Sequence, residues 1–350
     1  MTSMKDTYII AACATLVCMS VAGTARAQNT APPLAEYLQS SIGLDPGQIA
    51  DAQNGDAVVT LLHTDIGRDV TVFGIIGIHT TRDAYIARLH DVQALIAERS
   101  QQFGIISDPV TPADMQSVAL DPSEWKDLKG CRVNDCDFKL SESDMKQFAQ
   151  SVNWDGPNAQ QQADSVMRLQ MENLVTAYRA RGNAAMPRYD DTHGVQASDA
   201  FAALLSQASY IQQYAPALRN FLVNFPADRP ENSLDVMYWS MDRIPRLRPT
   251  FTLNQMVVYT PPSGSALVAR KQIYADHYFE AALELSTIYD APILKGGAGI
   301  YLVTIRRYRF DALPGGFLNI RGRVRSQLQK SMKSDLERER RTVEARATAG

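Results

Sequence analysis

The chain predicts an α+β fold: an antiparallel sheet gripping one long C-terminal helix, with a helical insertion between two strand-rich parts. Three observations predict it. Residues 267–289 are rich in β-branched and aromatic side chains and alternate with the period of two of an extended chain. Ile320, Val324, Leu328, Met332 and Leu336 recur every four residues, a helical stripe that drifts as it would on a helix laid across a twisted sheet. Between residues 141 and about 225 the strand pattern gives way to helical spacing.

The 350 residues are 45% hydrophobic and 21% charged, ordinary for a globular protein and enough for one large domain or two small ones. Residues 1–27 read as a secretory signal, with Lys5, an apolar run from Tyr8 to Gly23, and Ala25 and Ala27 in the arrangement a signal peptidase recognises. The apolar run is short for a membrane span. Val17 disfavours lipoprotein processing at Cys18. The mature chain is therefore expected to be soluble, exported and, in a bacterium, periplasmic. Of the four cysteines, Cys131 and Cys136 remain after cleavage, and in an oxidising compartment they most simply form one disulfide around the Asn134-Asp135 turn. A zinc site would need two further ligands, and none is near in sequence.

The elements follow in order. Residues 28–56 form a polar leader in which Leu34, Tyr37 and Leu38 suit a short docking helix. Residues 57–140 make the first strand-rich part. There, strands at 57–62 and 70–79 form a hairpin, and a helix capped near Thr81 carries Tyr85, Ile86, Leu89, Val92 and Ile96. A short strand is expected at 118–120. Residues 141–230 are the insertion, with helices from about Ser141, over 158–181 ending at Gly182, over 198–214, and over 217–225. Residues 231–346 return to strands at 235–241, 251–259, 267–289 and 300–310, break at Pro314-Gly315-Gly316, and end in the long helix. Residues 267–289 are long for one strand, so a bend or bulge near 275–277 is expected.

On that strand Ile273, Ala275, His277, Phe279, Ala281, Leu283 and Leu285 would share the apolar face, and His277 would be its one polar ring. It reads either as a ligand-orienting or acid–base group, or as a core histidine bonded to backbone or tyrosine. Tyr274, Asp276, Tyr278 and Glu280 would line the opposite face. His63, His79 and His90 share no metal spacing. Asp190, Asp191 and His193 sit in an expected loop without further ligands, so no metal or cofactor is expected. From Arg306 onward twelve basic residues face five acidic ones. This asymmetry suits an anionic lipid surface rather than nucleic acid, or a solvated helix face with paired charges.

The order of hairpin, helix, further antiparallel strands and long last helix, with residues 306–317 running through a Gly/Pro break into that helix, resembles the helix-grip fold of START and related lipid-binding domains. The resemblance covers the front (69–96) and the back (267–336), about half the chain. The helical block departs from the simple family layout. The resemblance implies a cavity between sheet and helix for an apolar molecule, lipid or sterol-like. Its walls are expected from His277, Ile273, Phe279, Leu283 and Tyr259 on the sheet and Leu328 and Met332 on the helix. A carrier or binder is the first expectation. An enzyme using the same cavity, or an envelope protein whose helical block binds a partner, are the alternatives.

Overall fold

The β-branched and aromatic runs pair into one antiparallel sheet of eight strands in the order β1-β2-β10-β9-β8-β7-β6-β3. The computed structural model describes residues 34–122, 124–192, 194–242, 248–262, 264–311 and 320–349; the expected signal segment, His193 and the 314–316 break lie outside them. The strands are β1 (Val58–Leu62), β2 (Asp69–Ile78), β3 (Phe103–Ile106), β6 (Ser233–Asp242), β7 (Thr250–Tyr259), β8 (Leu267–Ala275), β9 (Phe279–Leu294) and β10 (Gly297–Phe310). A separate two-stranded ribbon joins β4 (Arg188–Tyr189) to β5 (Val195–Gln196).

Helices cover both faces of the sheet. On one face lie α3 (Arg82–Leu89), α4 (Val92–Ala97) and α10 (Ile320–Ala349). Tyr85, Leu95, Leu328, Met332 and Leu336 pack there against Val72, Ile76, Val268 and Leu302. The other face carries the helical block: α5 (Glu142–Ser151), α6 (Ala159–Arg181), α7 (Ala197–Ser206), α8 (Ser209–Tyr214) and α9 (Pro216–Asn224). Phe148, Met171, Phe201 and Phe221 meet Trp239, Leu253, Ala269 and Leu283 there. The leader helices α1 (Leu34–Tyr37) and α2 (Pro46–Gln53) extend this second layer, with Tyr37, Leu38 and Ala52 buried beside Phe73, Ile75 and Val303. The block enters the chain between β3 and β6, which are neighbours in the sheet. Thus the result is α+β with a large antiparallel sheet and a C-terminal helix, but the sheet is covered twice. Double cover explains why β2 is buried along its whole length rather than alternating.

Local chemistry sets most helix starts. Thr81 caps α3 by accepting from the Ala84 amide, Ser141 caps α5 by accepting from Asp144, and Asp45 makes a capping box with Gln48 at α2. Two expected helices are each broken in two. His90 and Asp91 separate α3 from α4, because the Asp91 side chain caps a new helix by accepting from Ala94. The 198–214 helix divides at Gln207 and Ala208. No strand forms at 118–120. The edge strand β3 forms instead, its Phe103 to Ile106 pairing with Ser240 to Met237.

The largest correction concerns residues 267–289. They are not one bent strand but a hairpin: β8 runs out, Asp276, His277 and Tyr278 turn the chain, and β9 returns with Leu267 opposite Thr287. Neighbouring backbone holds the turn. Asp276 exchanges hydrogen bonds with Phe251 through its main chain and its carboxylate, its carbonyl accepts from Lys139, and the Tyr278 carbonyl accepts from Asp311. Two bulges then shift the faces. On β8, Leu253 faces Tyr274 and Asn254 faces Gln272, so Ile273 is the extra residue. On β9, Ala281 faces Arg309 and Phe279 faces Phe310, so Glu280 is extra. Ile273, Ala281 and Leu283 keep the face of Leu267, Ala269 and Leu285 in the helical-block core; the bulges add Tyr274 to that core and turn Ala275 and Phe279 beneath α10.

Candidate functional site

The charged residues of three central strands and two helices build a cleft beneath α10. Glu284 stands in β9 directly opposite Arg270 of β8 and Arg306 of β10. Side chains at adjacent positions on one face of a sheet must interact. Arg270 and Arg306 each donate to Glu284 at 2.5 Å, and Arg99, just past α4, donates at 2.7 Å. Burial alone would raise the Glu284 pKa; the Arg99, Arg306 and Arg270 charges overcome it and hold the carboxyl well below its ordinary range. Arg306 also donates to Asp335 of α10 at 2.7 Å, which pins the helix over the sheet. One turn further along α10, Arg88 of α3 bridges Glu98 and Glu339, and Tyr85 donates to Glu339 at 2.9 Å.

Between this network and α10 lies a cavity of about 250 Å³. Its walls divide by chemistry. Ser240, Asp242, Thr252, Asn254 and Gln272, from β6, β7 and β8, give a hydrogen-bonding wall, with Arg99, Arg270 and Arg306 beside it. Ile96, Phe279, Ala282, Tyr308 and Leu328 give an apolar one. Asp242 sits in the polar wall with its pKa raised by burial, against the hydrogen bonds of Ser240 and Thr252. Burial likewise pushes Tyr238 and Tyr308 up to about 12.

Of the residues expected around a sheet–helix cavity, Phe279 and Leu328 line this one, and Leu283 borders it from β9 while belonging to the helical-block core. Met332 lies one helical turn on, fully buried against the backbone of β2. Ile273 and Tyr259 are placed differently from the expectation: both are buried on the opposite face, among the helical block, Ile273 by plain alternation with Leu267 and Ala269 on the same strand. His277 is displaced further. It occupies the β8–β9 turn, 3% exposed, with Nδ1 2.9 Å from the Asp137 carbonyl and its ring 4.6 Å from that of Phe138. Nε2 is 3.3 Å from a Glu124 carboxylate oxygen but is not aligned for a hydrogen bond. It is thus a sealed core histidine, away from the cleft. The expected polar ladder disperses too: Tyr274 is core, Asp276 and Tyr278 make the turn, and Glu280 pairs with Arg68.

No family model, curated protein or solved structure matches the chain. Cys131 and Cys136 are joined in a disulfide beside the helical-block core, remote from the cleft. Among the described residues no group of three His, Cys, Asp or Glu side chains could hold a metal ion. Asp190 instead accepts from Arg188 at 2.8 Å and from the Glu142 amide, and Asp191 faces Lys139 at 3.5 Å. His79 lies at a shallow surface depression by the β9–β10 turn, and His63 is exposed beside Asp65.

The residues that sequence reasoning missed are Arg99, Asp242, Arg270, Glu284 and Arg306. A signal did exist for three of them. Arg270, Glu284 and Arg306 are charges at mid-strand positions, where an ion is tolerated only if paired.

Proposed function

We propose that this protein binds or carries a small amphipathic molecule in the cleft between the sheet and α10, as the resemblance to START-like helix-grip domains implies. The single observation that carries the reading is the divided wall of the 250 Å³ cavity, apolar on one side and on the other hydrogen-bonding, with three arginines matched by Asp242, Glu284 and Asp335. Drug-sized ligand pockets span roughly 300–1,000 Å³, so a molecule as large as a sterol would leave part of itself outside. A medium-length fatty acid fits the chemistry better: the chain against Phe279, Ala282 and Leu328, the carboxyl by the hydrogen-bonding groups of Ser240, Thr252 and Asn254. The long helix laid across an antiparallel sheet supports the family resemblance; the helical block on the second face lies outside it.

Export to an oxidising compartment is part of the same proposal, supported by the signal-like N-terminus and the disulfide. So is contact with an anionic membrane, supported by Arg323, Lys330, Lys333 and Arg341 on the exposed surface of α10. A catalytic role for His277 has lost its support, because the ring is sealed.

Calorimetric titration with decanoate tests the binding reading. Saturable one-to-one uptake is expected, and Ala282→Trp, which fills the cavity, should abolish it while leaving the fold intact by circular dichroism. A wild-type protein that takes up no decanoate, or a tryptophan variant that binds as well, would sink the proposal.

A further inference from the structure

On the opposite face of the sheet from the cleft, beneath α8, a small void of about 30 Å³ is walled by Leu267, Leu285, Val303, Ile305 and Ile211. Two polar side chains reach it from the strands, Thr287 of β9 and Arg307 of β10. Both carry buried atoms without a hydrogen-bond partner: the Arg307 Nε and the Thr287 hydroxyl. The rest of the Arg307 guanidinium meets neutral groups only. It donates to the Thr71 hydroxyl at 3.2 Å and to the Gln207 carbonyl at 2.9 Å.

The electrostatics are unbalanced. The carboxylate that bears most on Arg307 is that of Asp69, itself fully buried. Arg309 already takes both of its oxygens, at 2.7 and 2.8 Å, and Gln207 donates to one of them at 3.0 Å. Two arginines therefore share one carboxylate, and among the described residues Arg307 has no ion-pair partner. Arg307 is partly buried, and its Nε, taken out of water without a partner, is costly to leave unsatisfied. Burial accordingly lowers the Arg307 pKa from its ordinary value. Hydroxyl donors surround the same space. Tyr210 accepts from the Tyr289 hydroxyl at 2.7 Å, which leaves its own proton to point elsewhere. The Thr287 hydroxyl lies near enough to bear on the ionisation of Tyr210 yet makes no aligned hydrogen bond.

We infer that this void is a binding site for a small monovalent anion such as chloride, held by the Arg307 Nε and the hydroxyls of Thr287 and Tyr210. A single positive charge, weak hydroxyl donors and aliphatic walls suit a soft, weakly hydrated ion. The small volume excludes phosphate monoesters and larger carboxylates. The occupant would neutralise the surplus charge and tie α8 to β9 and β10. The site would be structural, independent of the cleft, and bear on stability rather than on decanoate uptake.

Chloride itself is the probe. Wild-type protein should broaden the ³⁵Cl resonance in excess of bulk, and bromide should compete the excess away. Exchanging chloride for gluconate at constant ionic strength should lower the melting temperature by several degrees. Thr287→Val keeps the shape and removes one donor to the ion, so chloride affinity should fall about tenfold or more. Arg307→Met should abolish both the broadening and the chloride dependence of melting. If Arg307→Met does not fold, the valine variant still decides. Broadening and melting that are the same in wild type and Thr287→Val, or a wild type indifferent to chloride, would show that water fills the void and overturn the inference.

Discussion

Burial pushes the His277 imidazole down to about 4, against the opposing pull of its bond to the Asp137 carbonyl. The unfolded ring titrates near 6.5, so between about pH 6.5 and 4 the unfolded chain binds a proton that the folded chain refuses. The folded state is therefore favoured above that window and loses this advantage as pH falls through it, by up to about 3 kcal/mol. His277→Gln can keep a donor to Asp137 and does not titrate. Its urea midpoint should fall less than the wild type's between pH 7 and 4.5; equal falls would mean that other groups drive the acid sensitivity. Lys271 is a second case of the same sign at higher pH. Its ammonium is fully buried, donates to the Tyr178 hydroxyl at 2.7 Å and to Asn183, and lies 4.2 Å from the centre of the Phe201 ring. Burial lowers its pKa to about 7, with Asp235 opposing. Above pH 7 the folded state has released a proton that the unfolded chain keeps to about 10.5, so stability should rise with pH by as much as ~1.4 kcal/mol per unit. Lys271→Met should flatten that rise between pH 7 and 9. An unchanged slope in chemical denaturation would show that the lysine stays charged on its aromatic neighbours.

The placement of α10 depends on one strand having no side chain where the helix crosses it. A Cβ at Gly74 of β2 would stand 2.7 Å from Leu336 Cδ1 and 2.9 Å from Met332 Cγ. Gly74→Val should therefore lift the helix and cost about 1–3 kcal/mol in urea unfolding, as overpacking does. A valine variant as stable as wild type would mean that α10 slides freely on the sheet. Element identity was largely legible, because each helix and most strands carry their own periodicity. Where it failed, the cause was turn chemistry. Ala275-Asp276-His277-Tyr278 contains neither glycine nor proline, and Tyr278 turns the chain with a φ of 60°, a conformation that glycine usually supplies. Such a turn is made by the partners of Asp276, which lie far off in the chain. The division at His90 and Asp91 was missed because the apolar stripe continues across it.

At the scale of the molecule the two faces of the sheet have different tasks. One is packed by the helical block, and the other holds the cleft under a helix whose outer surface is basic. Each lysine or arginine near an anionic bilayer contributes about 1 kcal/mol. Reversing Lys330, Lys333 and Arg341 to glutamate should abolish salt-sensitive cosedimentation with phosphatidylglycerol vesicles and leave decanoate uptake unchanged, since none of the three lines the cavity. Equal cosedimentation of variant and wild type would remove the membrane from the proposal.

The sequence by itself determined the elements: a β-rich front and back, a helical middle, and an amphipathic last helix, because periodicity and capping act within a few residues. Only the tertiary structure decided which residues meet. Glu284 finds Arg270 and Arg306 because the β8–β9 and β9–β10 registers set them side by side, 14 and 22 positions away. The bulges at Ile273 and Glu280 exchange faces without leaving a mark in the alternation. Register and bulge arise from pairing between strands, so the cleft is a property of the assembled sheet and His277 lies outside it.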